Sequence, residues 1–378
     1  MKKKFLLVPD SFKGTMQSSE ICGIMEQAIR THYPDSGIIS IPVADGGEGS
    51  VDCFVTALNG SKRSVTVKGP FFEPVEAYYG IVNGKTAVIE TAACAGLPLA
   101  GERADPCKTT TYGVGELIAH AVKSGCRKVI VGLGGSCTND AGAGMAAALG
   151  VKFLNGDGKE FVPVGGTLSD LRGIDLSGRM PELKGVEIVA MCDIDNPLYG
   201  PSGAACVFAP QKGADGDAVR LLDRGLRTAS EVIRKDLNLD VSEVPGSGAA
   251  GGMGAGMLAF LDARLQMGIE TVLDTVRFDS LLEDADLVLT GEGKLDSQSI
   301  RGKVVAGVAR RAKRAGVPVV AVVGDIGDGI GEVYSMGVTS VFSINRVAVD
   351  FRTAKARSRE DLRLTVDDVM RLLKGTGF

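Results

Sequence analysis

The sequence has no tryptophan, only two histidines, and an aromatic content of 5% over 378 residues. Proteins that hold single-stranded nucleic acids by stacking need exposed aromatic rings, and this chain supplies few of them. Positive charge is not in excess, because 42 Lys and Arg residues stand against 46 Asp and Glu, for a formal net charge of −4. The composition therefore argues against a nucleic-acid-binding protein that relies on bulk positive charge.

Long apolar runs and metal-binding patterns are also missing. The apolar run at residues 5–8 is too short for the core of a secretory signal, and no stretch approaches the roughly 18 residues of a membrane span. The eight cysteines form no CxxC pair, and with only His32 and His120 in the chain a Cys/His zinc site is not expected. We expect a reduced, cytoplasmic protein with no membrane partner.

Glycine is abundant instead, with 52 of the 378 residues, about twice the usual share. Seventeen of these glycines lie in four stretches, at residues 46–49, 132–144, 246–256 and 291–302. Most of the stretches follow a predicted strand and precede a predicted helix. Glycine at such a junction lets backbone N–H groups approach an anion, and it also allows two domains to move.

The two ends of the chain alternate between strand and helix patterns. Short apolar runs predict five strands, each followed by a helix, at residues 5–8, 38–43, 285–290, 318–323 and 338–344. Ser18 or Ser19 is expected to cap the first helix. Five such units predict an α/β fold with a doubly wound parallel sheet in the flavodoxin-like order 2-1-3-4-5. Residues 1–60 and 285–378 are therefore expected to form one discontinuous domain.

The middle of the chain, residues 61–284, does not follow this rhythm. Strands are predicted at 64–68, 75–82, 85–90, 128–133, 186–191 and 203–208, and helices at 114–123 and 217–237. Asn83-Gly84 is typical of a hairpin turn between two of these strands. We expect an inserted mixed α/β domain, and a cleft between two domains is the usual ligand site.

The loop 134–139 joins a predicted strand to a helix of small residues. Gly134 and Gly135 free the backbone to approach a phosphate, and Ser136 and Thr138 can donate further hydrogen bonds, with Asn139 completing the loop. The pattern predicts a site for the phosphates of a nucleotide. The alternative is a tight turn in which Thr138 or Asn139 caps the helix.

A second glycine-rich run covers residues 246–256 and leads into a helix predicted at 257–265. Neither this run nor any other segment matches GxxxxGK[ST], so no Walker A loop is predicted. The run is predicted either to contact the nucleotide, through Gly248 and Gly252, or to form a hinge between the domains.

Carboxylates follow three of the predicted parallel strands, as Asp10, Asp45 and Glu292, and Lys13 and Lys294 lie close to two of them. The carboxyl ends of parallel strands share one edge of the sheet, where open α/β sheets bind ligands. A single carboxylate of this kind is more often a helix cap or a surface ion pair. Three such loops at one edge favour a binding site.

Asp193 and Asp195 follow an apolar strand in the predicted insert. Their spacing puts both side chains on one side of an extended segment. Carboxylate oxygens suit Mg²⁺, which usually takes one or two carboxylates together with substrate phosphates. The alternative is an Asx turn closed by Pro197. Lys212 follows a further predicted strand and adds a positive charge.

Loops suited to phosphate, with carboxylates and lysines and without a redox motif, favour phosphoryl transfer. That chemistry depends mainly on positioning and charge neutralisation. The competing function is a non-catalytic sensor of a nucleotide or small anion. The clustered acidic residues disfavour such a sensor, because a bare anion site avoids negative charge.

Taken together, the motifs resemble the bacterial glycerate kinase family of glyoxylate and sugar-acid pathways. The resemblance covers nearly the whole chain and rests on VPDSFKGTM (8–16), IPVADGGEGSVD (41–52), TTTYGVGEL (109–117), LGGSCTNDAGAGMAAALG (133–150), MCDIDNPLYGPSGAA (191–205), FAPQKGA (208–214), GSGAAGGMGAG (246–256), GEGKLDSQS (291–299) and GKVV (302–305). It implies ATP- and Mg²⁺-dependent phosphorylation of D-glycerate by a two-domain enzyme with a flavodoxin-like outer domain. The product implied is 2-phosphoglycerate; the alternative is 3-phosphoglycerate or the product of a related hydroxy acid.

The resemblance supports these positions as a site, and we assign their roles as hypotheses. Lys13, with Lys294 or Lys212, neutralises the glycerate carboxylate or the transferring phosphoryl group. Ser11 belongs to the same substrate site, and Asp45 accepts the proton of the substrate hydroxyl.

The remaining assignments concern the nucleotide and the metal ion. Asp193 holds Mg²⁺, with Asp195 or Glu292 as a further ligand, and the 134–139 loop cradles the phosphates of ATP. An enzyme with two domains is expected to close over its substrates. The sequence does not indicate an oligomeric state.

Overall fold

The computed structural model describes residues 2–44, 49–297 and 303–378. The chain forms two compact units, each assembled from separate segments. The first unit comprises the described residues of 1–45, 56–58 and 269–378, and the second those of 46–55 and 59–268.

The strands of the described residues, in chain order, are β1 (Lys4–Pro9), β2 (Gly37–Ser40), β3 (Ser61–Lys68), β4 (Pro74–Val82), β5 (Thr86–Glu90), β6 (Lys128–Gly132), β7 (Lys152–Leu154), β8 (Glu160–Phe161), β9 (Gly173–Asp175), β10 (Glu187–Met191), β11 (Arg264–Gln266), β12 (Leu287–Gly291), β13 (Lys294–Leu295), β14 (Val319–Val323), β15 (Asp325–Ile326) and β16 (Val338–Ser343).

The helices of the described residues are α1 (Ser18–His32), α2 (Ser50–Ala57), α3 (Ala92–Ala95), α4 (Leu97–Ala100), α5 (Tyr112–Lys123), α6 (Ala143–Ala148), α7 (Ala204–Phe208), α8 (Gly216–Leu237), α9 (Ala249–Leu261), α10 (Gly268–Thr275), α11 (Phe278–Leu282), α12 (Val304–Ala315), α13 (Gly331–Met336) and α14 (Phe351–Gly375). None of the helices described is long and apolar enough to cross a membrane.

The first unit contains a five-stranded parallel sheet in the order β16-β14-β12-β1-β2. This is the predicted order 2-1-3-4-5, so the fold class is confirmed. The apolar run of β14 is buried on both faces, as expected for a parallel strand covered by helices. Val320 and Val322 pack with residues of α1 and α14, whereas Ala321 and Val323 pack with residues of α12 and α13.

The second unit contains a six-stranded mixed sheet in the order β11-β10-β6-β5-β4-β3. Strands β5, β6, β10 and β11 run parallel to one another, and β4 pairs antiparallel with both β5 and the edge strand β3. The predicted hairpin turn is confirmed, because Asn83 and Gly84 both have positive φ, at 50° and 71°, as a type I′ turn requires. A smaller sheet, β8-β7-β9, was not predicted.

Two local predictions for the second unit were wrong. The segment predicted as a strand at 203–208 is helix α7, in which Ala204 and Ala205 are fully buried. Its five apolar residues fit a strand and a buried helix equally well by pattern. The helix predicted at 257–265 is α9, which begins earlier, at Ala249, and contains the left-handed residues Ala250, Gly251 and Gly252.

The bounds of the two units differ from the predicted domain bounds at both places where the chain passes from one unit to the other. Residues 269–284, predicted in the insert, belong to the first unit. There the buried Arg311 of α12 pairs with Glu270 and Asp274 of α10 and with Asp279. On the other side, the described residues of 46–55 belong to the second unit, where Val51 N donates to Glu90 Oε1 at 2.7 Å.

Candidate functional site

In the first unit, the loops that follow β1 and β12 lie side by side. The two strands pair in parallel with Pro9 opposite Gly291, so both end at the same edge of the sheet. Beyond the strands, Asp10 N donates to Gly291 O at 2.8 Å, and Asp10 Oδ1 accepts from Ser11 N at 2.7 Å. The backbone therefore places Asp10 and Ser11 beside the segment that leads to Glu292.

Lys13 lies in a tight turn closed by Phe12 and Met16, which exchange backbone hydrogen bonds of 2.9 and 3.0 Å. The Lys13 side chain is exposed. Gly293 faces this turn, because a Cβ added to it would lie 3.3 Å from Lys13 N. Glycine at this position therefore allows the two loops to approach closely.

Glu292 and Lys294 occupy the other side of this contact. Glu292 is buried, and its carbonyl oxygen accepts from Gly324 N at 3.0 Å. Lys294 is exposed and begins β13, which pairs in parallel with β15. The structure thus brings together the backbone segments of Asp10, Ser11 and Lys13 with those of Glu292 and Lys294.

Asp45, the predicted proton acceptor, lies outside the described residues. The chain just before it is fixed by Ser18, which was predicted to cap α1. Ser18 Oγ instead donates to Pro9 O at 2.6 Å and accepts from Val43 N at 2.9 Å, and Gln17 is the N-cap residue. The cap prediction was wrong because the hydroxyl joins the chain ends of β1 and β2.

In the second unit, Lys212 lies directly against the 134–139 loop. Its Nζ donates to Ser136 Oγ at 2.9 Å and to Thr138 O at 2.7 Å. Only 3% of Lys212 is exposed. The next residue, Gly213, has φ of +98°, and a Cβ there would lie 2.2 Å from Ala104 O, so the turn that presents the lysine needs glycine.

The electrostatics of Lys212 suit an anionic ligand. Burial lowers the pKa of its ammonium group from 10.5 to about 8, while Cys137 and Asp140 act in the opposite direction. An ammonium group has three N–H donors, and the two hydrogen bonds to the loop use two of them. The third has no acceptor among the described residues.

Asn139 has unused hydrogen-bonding capacity beside this lysine. The residue is fully buried, and neither its amide nitrogen nor its amide oxygen has a partner among the residues the structure describes. Buried polar groups are nearly always hydrogen-bonded, so an exception indicates a water or a ligand. Asn139 directly follows Thr138, whose carbonyl oxygen binds Lys212.

Asp140 and two threonines are functional candidates that sequence reasoning missed. Asp140 is fully buried and accepts hydrogen bonds from Thr111 N and Thr111 Oγ1 at 2.8 and 2.9 Å. Thr109 Oγ1 donates to Cys137 O at 2.8 Å. The signal available was the TTT run at residues 109–111, which belongs to one of the quoted motifs but had been given no role.

The 134–139 loop does not cap α6 with Thr138 or Asn139. The N-cap residue is Gly142, which has left-handed φ and ψ, and Asp140 Oδ1 accepts from its N–H at 3.0 Å. The tight-turn alternative was therefore wrong about the capping residue. Both candidate caps are buried in the loop instead.

The glycine run 246–256 packs its backbone against the loop that follows β6. A Cβ added to Gly251, which has φ of +68°, would lie 2.0 Å from Thr138 O. Ala141 N donates to Gly251 O at 3.1 Å. Close approach of two backbones therefore accounts for Gly251 and its positive φ.

Gly248 and Gly252 pack closely against the segment at residues 197–198. A Cβ at Gly248 would lie 2.3 Å from Pro197 O, and one at Gly252 would lie 2.8 Å from the side chain of Leu198. Both glycines are buried. Their contact with the nucleotide stays a prediction, as does the hinge.

Asp193 and Asp195 are both exposed in the segment after β10. Asp193 Oδ1 accepts from Gly268 N at 2.8 Å. Within residues 2–44, 49–297 and 303–378, no three His, Cys, Asp or Glu side chains are grouped as metal ligands. Two carboxylates two residues apart in sequence nevertheless fit Mg²⁺, which draws most of its remaining ligands from water and phosphate. The further ligand Glu292 belongs to the first unit, and its role stays a prediction.

Comparisons with known proteins agree over nearly the whole chain. A family model described as "Glycerate kinase family" matches residues 5–374. The chain is 47% identical over 343 residues to glycerate 2-kinase of Escherichia coli K12, with 90% of each chain covered, and 43% identical over 373 residues to glycerate kinase of Bacillus cereus, with 98% of each covered. A solved structure of a Salmonella typhimurium LT2 protein, provisionally named glycerate kinase 2, matches with a TM-score of 0.89 at 40% identity, covering 100% of this chain and 99% of the other.

Proposed function

Because the chain belongs to the glycerate kinase family, we propose that it transfers the γ-phosphoryl group of ATP to the 2-hydroxyl group of D-glycerate. The observation that supports this assignment best is the buried cradle formed by Lys212, Ser136, Thr138 and Asn139. One N–H group of Lys212 and the side-chain amide of Asn139 remain available to a ligand there. Phosphate oxygens can accept hydrogen bonds from the lysine N–H group and from the amide NH₂ group.

The contacts of Lys212 favour a role with the phosphates rather than with glycerate. The lysine is bonded to the same loop that was predicted to cradle ATP. A fixed positive charge in a water-poor site stabilises the charge of a transferring phosphoryl group more strongly than an exposed one does. Lys212, Ser136 and Asn139 therefore bind and orient the phosphates in this proposal.

Glycerate is assigned to the loops of the first unit. Ser11 and Lys13 lie in the loop after β1, and Lys294 lies at the start of β13, in the neighbouring segment after β12. Two lysines and a hydroxyl suit the carboxylate and hydroxyl groups of a small hydroxy acid. Asp45 accepts the proton of the attacking hydroxyl, as a kinase base does.

Mg²⁺ is assigned to Asp193 and Asp195. When bound, the ion neutralises negative charge on the phosphate oxygens. The two carboxylates hold it, and the hydrogen bond from Gly268 N orients Asp193 at 2.8 Å. Glu292 is kept as an additional candidate ligand.

The 2-hydroxyl assignment is supported by the name of one relative, glycerate 2-kinase of Escherichia coli, which is 47% identical to this chain. The test is an assay that couples ADP release to NADH oxidation with D-glycerate as acceptor, followed by ¹³C and ³¹P NMR of the product. We expect glycerate-dependent ADP release and 2-phosphoglycerate. A product of 3-phosphoglycerate would overturn the regiochemistry, and an absence of ADP release would favour the sensor function.

A further inference from the structure

Asp140 is wholly buried in the second unit, immediately after the 134–139 loop. One carboxylate oxygen, Oδ2, accepts from Thr111 N, Thr111 Oγ1 and Gly144 N at 2.8, 2.9 and 3.2 Å. The other, Oδ1, accepts from Gly142 N at 3.0 Å. A single side chain thus holds two chain segments that are about thirty residues apart in sequence.

The segments that Asp140 holds are those that shape the phosphate cradle. Thr111 Oγ1 donates to Asp140 and accepts from Met145 N at 2.8 Å, so it fixes the first turn of α6. Ala141 and Gly142, which follow Asp140, both have positive φ, at 54° and 71°. The strained backbone between the loop and α6 is therefore stabilised by bonds to Asp140.

The donors around Asp140 favour its ionised form. Burial raises the pKa of the carboxyl group above its usual value, and the hydrogen bonds from Thr111, Gly142 and Gly144 offset part of this rise. All four contacts donate to the carboxylate, and three of them are backbone N–H groups, which cannot accept a carboxyl proton. Several N–H donors at a carboxylate stabilise its charged form and so act against the effect of burial.

Asp140 and Cys137 are the titratable groups that act on Lys212. Burial raises the pKa of the Cys137 thiol to about 11, so Cys137 is uncharged when Lys212 titrates. The other contacts of Lys212, Ser136 Oγ and Thr138 O, are neutral. Lys212 Nζ is bonded to Thr138 O, two residues before Asp140, so among the described residues Asp140 is the carboxylate placed to offset the charge of the buried ammonium group.

We propose that Asp140 is a positioning residue for phosphoryl transfer: its carboxylate fixes Thr111 and the start of α6 beneath the 134–139 loop, and its negative charge keeps Lys212 in the ammonium form. This inference rests on the proposed role of Lys212 in binding the phosphates of ATP. It supplies the buried ammonium group of Lys212 with a counter-charge from the protein itself, because an isolated ammonium group is costly to bury.

The test is the pH dependence of kcat/KM for ATP at saturating glycerate. Activity of the wild type is expected to fall as pH rises through about 8, the pKa of Lys212, because only the ammonium form donates all its hydrogen bonds. Asp140→Asn removes the negative charge, so the basic limb is expected to move to lower pH by about one unit. At pH 7.5 the charged fraction of Lys212 would then fall from about three-quarters to about one-quarter, so kcat/KM is expected to fall about threefold, and the loss is expected to approach about tenfold well above pH 8.

Two further variants separate charge from hydrogen bonding. Thr111→Val removes a donor to Asp140 but leaves its charge, so the activity is expected to fall while the limb stays at the wild-type pH. In Lys212→Arg the side chain stays charged at every pH of the assay. The residual activity of this variant is therefore expected to show no decline at basic pH. Asp140→Ser is the second charge-removing variant, to be used if circular dichroism shows that Asp140→Asn does not fold.

The outcomes that overturn the inference are distinct from failure of the proposed function. If the wild type is active but its kcat/KM does not decline at basic pH, Asp140 does not set the charge of Lys212. The same conclusion follows if the decline occurs at the wild-type pH in the charge-removing variants. An equal shift in Thr111→Val would assign the effect to loop geometry instead of charge. If the wild type releases no ADP with glycerate, the proposed function itself fails.

Discussion

Lys212 and Lys13 place a positive charge in very different surroundings, the first in the second unit and the other in the first unit. Lys212 of the second unit is 3% exposed and is fixed by two hydrogen bonds to the 134–139 loop. Lys13 of the first unit is exposed in a short turn. A buried charge acts at full strength but depends on its partners, whereas an exposed charge is weakened by water and salt.

This difference explains why we assign the phosphates to one unit and glycerate to the other. A transferring phosphoryl group needs strong, fixed charge stabilisation, which the buried cradle can supply. A small hydroxy acid needs recognition of a carboxylate that is already charged in water.

The largest effect is expected at Asp45, which we assign to the chemical step. Asp45→Asn removes the proton acceptor and is expected to lower kcat about a thousandfold with little change in KM. Steady-state kinetics with both substrates measures this. Asp35→Asn, a change at an exposed position of the same unit, is the matched control, and an Asp45→Asn enzyme with near-normal kcat would exclude Asp45 as the base.

Lys212→Met is expected to lower kcat/KM for ATP by several hundredfold, because the cradle loses its fixed positive charge while its volume is kept. Circular dichroism should show a folded protein. Lys184→Met, at an exposed position of the second unit, controls for the loss of a lysine as such. A loss of less than about fivefold would contradict the central role of the buried lysine.

Gly251→Ala tests the packing of the buried region. The added Cβ would lie 2.0 Å from Thr138 O at a left-handed residue, so we expect the free energy of unfolding to fall by about 3 kcal/mol. Gly14, also left-handed but with no atom within 4 Å of an added Cβ, is the counterpart in the first unit, and Gly14→Ala should cost about 1 kcal/mol. Equal losses in urea denaturation would show that the two regions do not differ in packing.

Lys13→Gln is expected to raise KM for glycerate about tenfold and to leave kcat less affected, because an exposed lysine contributes binding more than transition-state stabilisation. The wild-type KM should rise with ionic strength, and the variant should lose this dependence. Lys85→Gln, at another exposed lysine, is the control. A KM for glycerate that is unchanged in Lys13→Gln would remove Lys13 from the substrate site.

Much of the fold was predictable because its signals are local and periodic. In β14, alternate residues pack on opposite faces of the sheet, and Asn83-Gly84 marks its hairpin by backbone conformation alone. Helix α7 was not predictable, because five apolar residues do not distinguish a buried strand from a buried helix.

The candidate site was predictable only as a set of loops. Lys212 and Ser136 are 76 residues apart and meet only after the chain has folded. Asp140 had no local signal of its own, because the threonine that donates to its carboxylate, Thr111, lies 29 residues earlier in the TTT run. The sequence indicated which residue types suit phosphate, but burial decides which of them act together.

The most direct test is a calorimetric titration of the wild type, Lys212→Met and Lys13→Gln with a non-hydrolysable ATP analogue plus Mg²⁺, and separately with D-glycerate. The account predicts that Lys212→Met loses at least about tenfold in nucleotide affinity and binds glycerate normally, and that Lys13→Gln shows the reverse pattern. Normal nucleotide affinity in a folded Lys212→Met protein would contradict the assignment of the buried cradle to ATP.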